Sequence, residues 1–146
     1  MDKKKIIAKN KKARFEFHVL DTYEAGIVLQ GTEVKSLRKG SVHFLDSFAR
    51  IVKGEAWLFS LNIAEYKFGN RQNHEPTRDR KLLLHKKEIE KLDAKTKEKG
   101  LTLVPLSLYF KNGKAKVEIG VCKGKKLFDK RDTIKQRDLE RQIENY

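Results

Sequence analysis

The sequence predicts a mainly β protein, a six-stranded antiparallel barrel, closed or nearly closed, with two or three flanking helices and a basic C-terminal tail. Three observations carry this expectation. Apolar residues alternate with polar ones over several short runs, the mark of strands with one wet face. The strands are too many and too short for a parallel layered fold. Asn112-Gly113 sits between two such runs, and both residues tolerate the positive φ of a tight hairpin turn. Closure into a barrel leaves few open edges. At 146 residues the chain fits one domain that needs no staples.

Taken in order, residues 1–12 form a basic arm with little order of its own, carrying Lys3, Lys4, Lys5, Lys9 and Lys11 against Asp2. Residues 13–124 form the β domain. "RFEFHVL", with Phe15, Phe17 and Val19 on one face, reads as a strand, and "EAGIVL" as another after a polar break at Asp21 and Thr22. "QGTEVKSLRKG" reads as a helix of about two turns, capped by Thr32, with Glu33 in its first turn and Gly40 as its stop. "VHFLDSFARIV" and "EAWLFSLNIA" read as strands joined through Lys53-Gly54. "EYKFGNRQNHEPTRDRK" has no sustained period and reads as a loop of about 17 residues, longer than a compact domain keeps without a use. "LLLHKKEIEKLDAKTKEKG" turns helical from His85, with Glu88 three residues on, Ile89 and Leu92 on one face and Gly100 as terminator. "LTLVPLSLYF" and "AKVEIGV" are the last strand pair, with Pro105 placed at an edge or bulge. Residues 125–146 are a tail with an incomplete apolar stripe, Ile134, Leu139 and Ile143, too sparse to offset the entropy of ordering it alone.

The 34 Lys and Arg against 20 Asp and Glu leave a formal charge of +14, which concentrates polyanions of any kind: RNA, DNA or anionic lipid. "MDKKKIIAKNKKARF" lacks the apolar core of a secretory leader, and no run reaches the roughly 20 apolar residues of a membrane span. One cysteine excludes an internal disulfide. These features predict a cytoplasmic, soluble protein with no membrane-spanning segment.

Chemistry for catalysis is sparse. His18, His43, His74 and His85 lack the spacing of a zinc helix or ribbon, and His18 and His43 fit the wet faces of strands. Cys122 reads as a small buried hydrophobe. "GVCKGKK" lacks the spacing and Ser/Thr of a P-loop. The residues point to no enzyme and no cofactor. Basic regions stand out instead. The loop offers Arg71, Arg78, Arg80 and Lys81 beside Asn70, Gln72, Asn73 and His74, mixing phosphate-binding forks with groups able to read base edges or 2′-hydroxyls. Lys123, Lys125 and Lys126 then lead into Lys130, Arg131, Lys135, Arg137 and Arg141, a run suited to following an anionic channel.

"GIVLQGTEVKSLRKG" at 26–40, "HEPTRDRKLLLHKKEI" at 74–89, "GLTLVPLSLYFKNGKAKVEIGVCKGKKLFDKR" at 100–131 and the basic tail resemble the SsrA-binding protein family, also called the small protein B family. The resemblance covers nearly the whole chain from Ala13 on. It implies a barrel related to the oligonucleotide-binding fold and a tail disordered when free. It further implies a non-catalytic adaptor of trans-translation that binds the tRNA-like domain of transfer-messenger RNA. With elongation factor Tu and GTP, the alanyl-charged complex would enter the empty A site of a ribosome stalled without a stop codon. The tail would lie as helix in the vacant mRNA path at the small-subunit decoding centre. Carried over by motif, the RNA-facing positions are Glu33, Lys35, Ser36 and Arg38, with His74, Glu75, Arg78 and Arg80. A carboxylate there would accept from a base amino group. The resemblance implies a ribosome-contacting tail of Phe128, Asp129, Lys130 and Arg131, then Ile134, Lys135, Arg137 and Arg141. Phe128 departs from relatives that carry histidine there, and an aromatic ring keeps the capacity to stack. A structural ribosomal protein and an RNA-modifying or RNA-cleaving enzyme are the competing readings from the same residues.

Overall fold

The computed structural model describes residues 4–68 and 73–124. Its elements in order are β1 (Lys4–Lys9), α1 (Lys11–Glu16), β2 (Phe17–Ile27), α2 (Gly31–Arg38), β3 (Val42–His43), β4 (Phe48–Val52), β5 (Glu55–Phe59), β6 (Asn62–Ile63), β7 (Arg80–Leu83), α3 (Lys86–Lys99), β8 (Thr102–Lys111) and β9 (Lys114–Gly124). Six strands pair antiparallel in a closed ring, β8-β4-β5-β7-β2-β9 and back to β8, as the mainly β expectation requires. The closing seam is thin. Ala49 opposite Leu103 is the one register pair between β4 and β8, because the rest of that edge of β8 is taken by β1.

Tight turns set the register. Lys53-Gly54 and Asn112-Gly113 both have positive φ, so their twist matches that of the strands they join. Inward residues of successive strands, among them Ala25, Leu58, Leu82, Leu108, Val117 and Ile119, fill the ring. Helix α2 adds Leu37 and α3 adds Leu92 to the same core. The start of α3 is capped by Glu88, whose carboxylate accepts from the His85 N–H at 3.0 Å, and Gly100 closes it at φ 63°.

A second, smaller cluster lies outside the ring, where Ala13 of α1 packs on Val104, Leu106 and Cys122. It explains why apolar residues do not alternate along "LVPLSL": that stretch is covered on both faces. Pro105 stands at a bulge in β8, as its missing donor demands, and its carbonyl accepts from the Asn10 side chain at 2.9 Å. The Asn10 carboxamide oxygen also caps α1 by accepting from the Ala13 N–H at 3.1 Å. Gly120 is required opposite this cluster, since a Cβ there would come within 2.7 Å of the Leu106 Cδ1.

Several expectations are corrected. Lys4–Lys9 are not a loose arm but an edge strand hydrogen-bonded to β8. "RFEFHVL" and "EAGIVL" are not two strands: Lys11–Glu16 are helical, and Phe17–Ile27 run as one strand through a bulge between Val19 and Asp21. The polar break read at Asp21 is this bulge. "VHFLDSFARIV" divides into β3 and β4, and "EAWLFSLNIA" into β5 and β6; β3 and β6 pair with each other apart from the ring. Strand β7 lies across the expected boundary between loop and helix. α2 begins after Gln30, and Thr32 sits inside it rather than at its cap. The 125–146 tail lies outside the described residues.

Candidate nucleic-acid interface

Charge and helix capping meet at α2. Glu33 is fully buried, and its carboxylate accepts from the Gln30 N–H at 2.7 Å, closing the first turn. It also accepts from Arg78 through Nε at 3.0 Å and Nη2 at 2.6 Å, and from Arg80 Nε at 2.6 Å. Arg80, at the start of β7 and equally buried, spends its other donors on backbone: Nη1 on the Leu61 carbonyl at 2.6 Å, Nη2 on that of Pro76 at 2.9 Å. Burial pushes the Glu33 carboxyl upward, but the bonds from Arg78, Gln30 and Arg80 outweigh it and hold the group below the usual carboxylate range. Burial lowers Arg80, Glu33 pulls it back, and a guanidinium has enough reserve to remain charged.

The surrounding polar groups extend the lock. His74 is buried, and its Nε2 donates to the Ile63 carbonyl at 2.7 Å, since a carbonyl can only accept. Its Nδ1 lies 2.8 Å from the Thr32 hydroxyl on α2. Ser36 Oγ donates to the Ala64 carbonyl at 2.7 Å. Asn73 grips Tyr66 as a strand neighbour would, accepting from its N–H at 2.9 Å and donating to its carbonyl at 2.6 Å. Four residues read as RNA-facing, Glu33, Ser36, His74 and Arg80, are therefore turned inward, each with its polar atoms bound within the protein. Arg78 and Arg80 use their forks first to hold the loop to α2. Arg78 is half-buried and engaged with Glu33, while Lys35, Arg38 and Glu75 are exposed. Lys81 pairs with Glu55 at 2.8 Å on the surface, and Lys123 is exposed on β9. Asn70, Arg71, Gln72, Lys125, Lys126, Phe128, Asp129, Lys130, Arg131, Ile134, Lys135, Arg137 and Arg141 lie outside the described residues.

Two features escape a reading by charge alone. A cleft of about 680 Å³ opens between β2, β7 and β9, with Glu24, Gly26, Leu83, Lys114 and Lys116 on its walls and Val34 of α2 at one side. Leu83 is 55 % exposed there. The Tyr109 hydroxyl, raised in pKa by burial and by its bond to Glu24, donates to the Glu24 carboxylate and keeps that carboxyl below its usual range. The second lies beside α2: Tyr66 and Phe68 meet edge to face at 5.6 Å, with Lys35, Lys39 and Lys67 amines 5.4 to 6.0 Å from ring centroids. The signal for it was "EYKF", aromatics interleaved with a cation inside a segment with no core periodicity.

Other chemistry finds little support. Among the described residues no group of three or more His, Cys, Asp or Glu is placed to hold a metal ion. Cys122 is buried, and burial pushes its thiol up to about 11, the reverse of what a nucleophile needs. Among the described residues no helix is long and apolar enough to cross a membrane.

Comparison with known proteins agrees with this frame. The family model described as SmpB protein matches residues 7–146. The chain is 60 % identical over 140 residues to the SsrA-binding protein of Carboxydothermus hydrogenoformans, covering 96 % of this chain and 94 % of that one. It is 59 % identical over 139 residues to the SsrA-binding protein of Desulforudis audaxviator, covering 95 % and 91 %. A chain in a solved structure described as "tmRNA-SmpB: a journey to the center of the bacterial ribosome" is 54 % identical, with a TM-score of 0.69, over 81 % of this chain and 83 % of its own. Since the family model spans residues 7–146 and the relatives cover nearly the whole chain at about 60 % identity, the chain belongs to the SmpB protein family.

Proposed function

We propose that the protein is a non-catalytic RNA-binding adaptor of trans-translation, which binds the tRNA-like domain of transfer-messenger RNA and supports its delivery to ribosomes stalled without a stop codon. The observation that carries this reading is the division of α2: one face locked into the protein by Glu33 and Ser36, the other presenting Lys35 and Arg38 to solvent. A cationic face fixed before its partner arrives loses little entropy on binding, and neutralised phosphates supply affinity. The relatives named SsrA-binding protein and the tmRNA-SmpB structure support the same partner and a place on the ribosome.

On this reading Lys35, Arg38, Glu75, Lys81 and Lys123 face RNA, with Arg78 adding its exposed portion and Lys125 and Lys126 continuing the track. Glu33, Ser36, His74 and Arg80 act by holding that surface. The body, residues 13–124, binds the RNA; the tail, 125–146, serves the small-subunit decoding centre. There Phe128, Asp129, Lys130, Arg131, Ile134, Lys135, Arg137 and Arg141 occupy the vacant mRNA channel. Elongation factor Tu with GTP joins through the alanyl-charged RNA. The test is an affinity titration of the full chain and of residues 1–128 against the isolated tRNA-like domain, with ordinary tRNA as competitor. Tight, competitor-resistant binding by both forms, with peptide tagging on stalled ribosomes lost only in the truncated form, is expected. Equal binding to both RNAs would reduce the protein to a general basic RNA binder.

A further inference from the structure

Among the described residues, Phe68 is 64 % exposed and, unlike the exposed Phe15, meets a second aromatic ring, Tyr66, edge to face at 5.6 Å. Its surroundings are not aliphatic, as a protein-docking patch would be, but cationic: Lys39 and Lys67 lie 5.9 Å from its centroid, and Lys35 and Lys39 lie 5.4 and 6.0 Å from that of Tyr66. The pair is also fixed in place. Both backbone groups of Tyr66 are held by the Asn73 side chain, and the Ala64 carbonyl is tied to Ser36 of α2. A flat, π-bearing and anionic partner suits exposed rings flanked by amines. An unpaired nucleotide is such a partner: its base stacks on a ring while its phosphates meet the amines.

We infer that Tyr66 and Phe68, with Lys35, Lys39 and Lys67, form a stacking platform for an unpaired base of the same RNA that the body binds. This rests on the function proposed above and adds a contact that the buried loop residues do not supply. One RNA reaches both the body's cationic face and the platform because Lys35 belongs to both: it is exposed on α2 and its amine lies 5.4 Å from the Tyr66 ring centroid. Charge alone would make this side of α2 sticky for any polyanion; the rings make it selective for single-stranded, unstacked bases.

The experiment places 2-aminopurine, one position at a time, at the unpaired nucleotides of the tRNA-like domain and titrates each RNA with the full chain. Binding should quench the probe at one or two adjacent positions. Phe68→Leu and Tyr66→Leu should abolish that quench at saturation and weaken affinity about 5- to 100-fold, with the salt slope unchanged. Phe68→Trp and Tyr66→Phe should retain it. Phe68 is exposed enough that its substitution leaves folding intact, checked by circular dichroism. A quench that persists in both leucine variants, or no quench anywhere in a complex that forms normally, overturns the platform and leaves the adaptor reading standing. Failure of the unaltered chain to prefer this RNA over ordinary tRNA overturns the adaptor reading, and the platform with it.

Discussion

The two sides of α2 draw on the same kinds of residue and use them oppositely. Inside, Glu33, Arg78 and Arg80 form a charged lock that two of its members share with no solvent at all. Outside, Lys35, Lys39 and Lys67 surround aromatic rings and meet water. The lesson is that a basic residue in this loop is not by that fact a surface residue. Arg78 and Arg80 fasten the loop to the helix, because planar guanidinium forks can satisfy a buried carboxylate and several carbonyls at once. The lysines, compact and strongly hydrated, remain where a polyanion can find them.

The strongest way to break this contrast is Glu33→Ala. It leaves Arg80 buried with no counter-charge and removes the cap of α2, so a loss of about 3–5 kcal/mol is expected in denaturant unfolding. Arg80→Lys should fall in the same class, because an ammonium cannot reach the carboxylate and the carbonyls of Leu61 and Pro76 together. A cost below about 1 kcal/mol for both, the range of a surface pair, would mean that the lock is ornamental.

The same lock explains where sequence reading succeeds and where it stops. Hairpins at Lys53-Gly54 and Asn112-Gly113, the bulge at Pro105, and the α3 ends at His85 and Gly100 are all legible, because each follows from the local conformational preference of one or two residues. Phe15 illustrates the failure: in sequence it alternates with Phe17, yet it stands on α1, 80 % exposed, since Asn10 caps a helical turn there against β8. Strand β7 is hidden for another reason. Its Arg80 looks like loop chemistry until Glu33, 47 positions away, makes burial tolerable. Tyr66 and Phe68 could be noticed but not joined to Lys35 and Lys39 without the fold.

A pH titration sharpens the comparison next. Glu33 is held below its ordinary pKa when folded, so its contribution is fully present above the unfolded value of about 4.3 and is lost as pH falls through the lower folded value. Thermal stability of the unaltered chain should therefore drop in that acid window, and Glu33→Gln should flatten the drop while starting from a lower plateau. Asp21, Glu24 and Glu55 are also depressed, but they are partly or largely solvated and should add little. An identical acid slope in Glu33→Gln would assign the loss to those surface groups instead. Away from α2, Asn10→Ala removes one helix cap and the partner of the Pro105 carbonyl, and should cost about 1–2 kcal/mol with RNA affinity unchanged. An equal fall in affinity would tie α1 to the RNA surface.

The smallest effect on folding is also the most discriminating. Lys35→Gln removes an exposed charge and should change stability by less than about 0.5 kcal/mol. Its effect belongs to the partner: the slope of log affinity against log salt for the tRNA-like RNA should fall by about one, because one fewer phosphate is neutralised. Arg78→Gln should show the reverse balance. Its guanidinium already holds Glu33 at two atoms and only a quarter of the side chain is exposed, so the loss appears mainly in unfolding, with a smaller change in slope than that of Lys35→Gln. If Arg78→Gln lowers the slope as much as Lys35→Gln while leaving stability intact, Arg78 turns from Glu33 to phosphate in the complex. The lock would then be a latch that RNA opens, and the two sides of α2 would be one surface in the bound state.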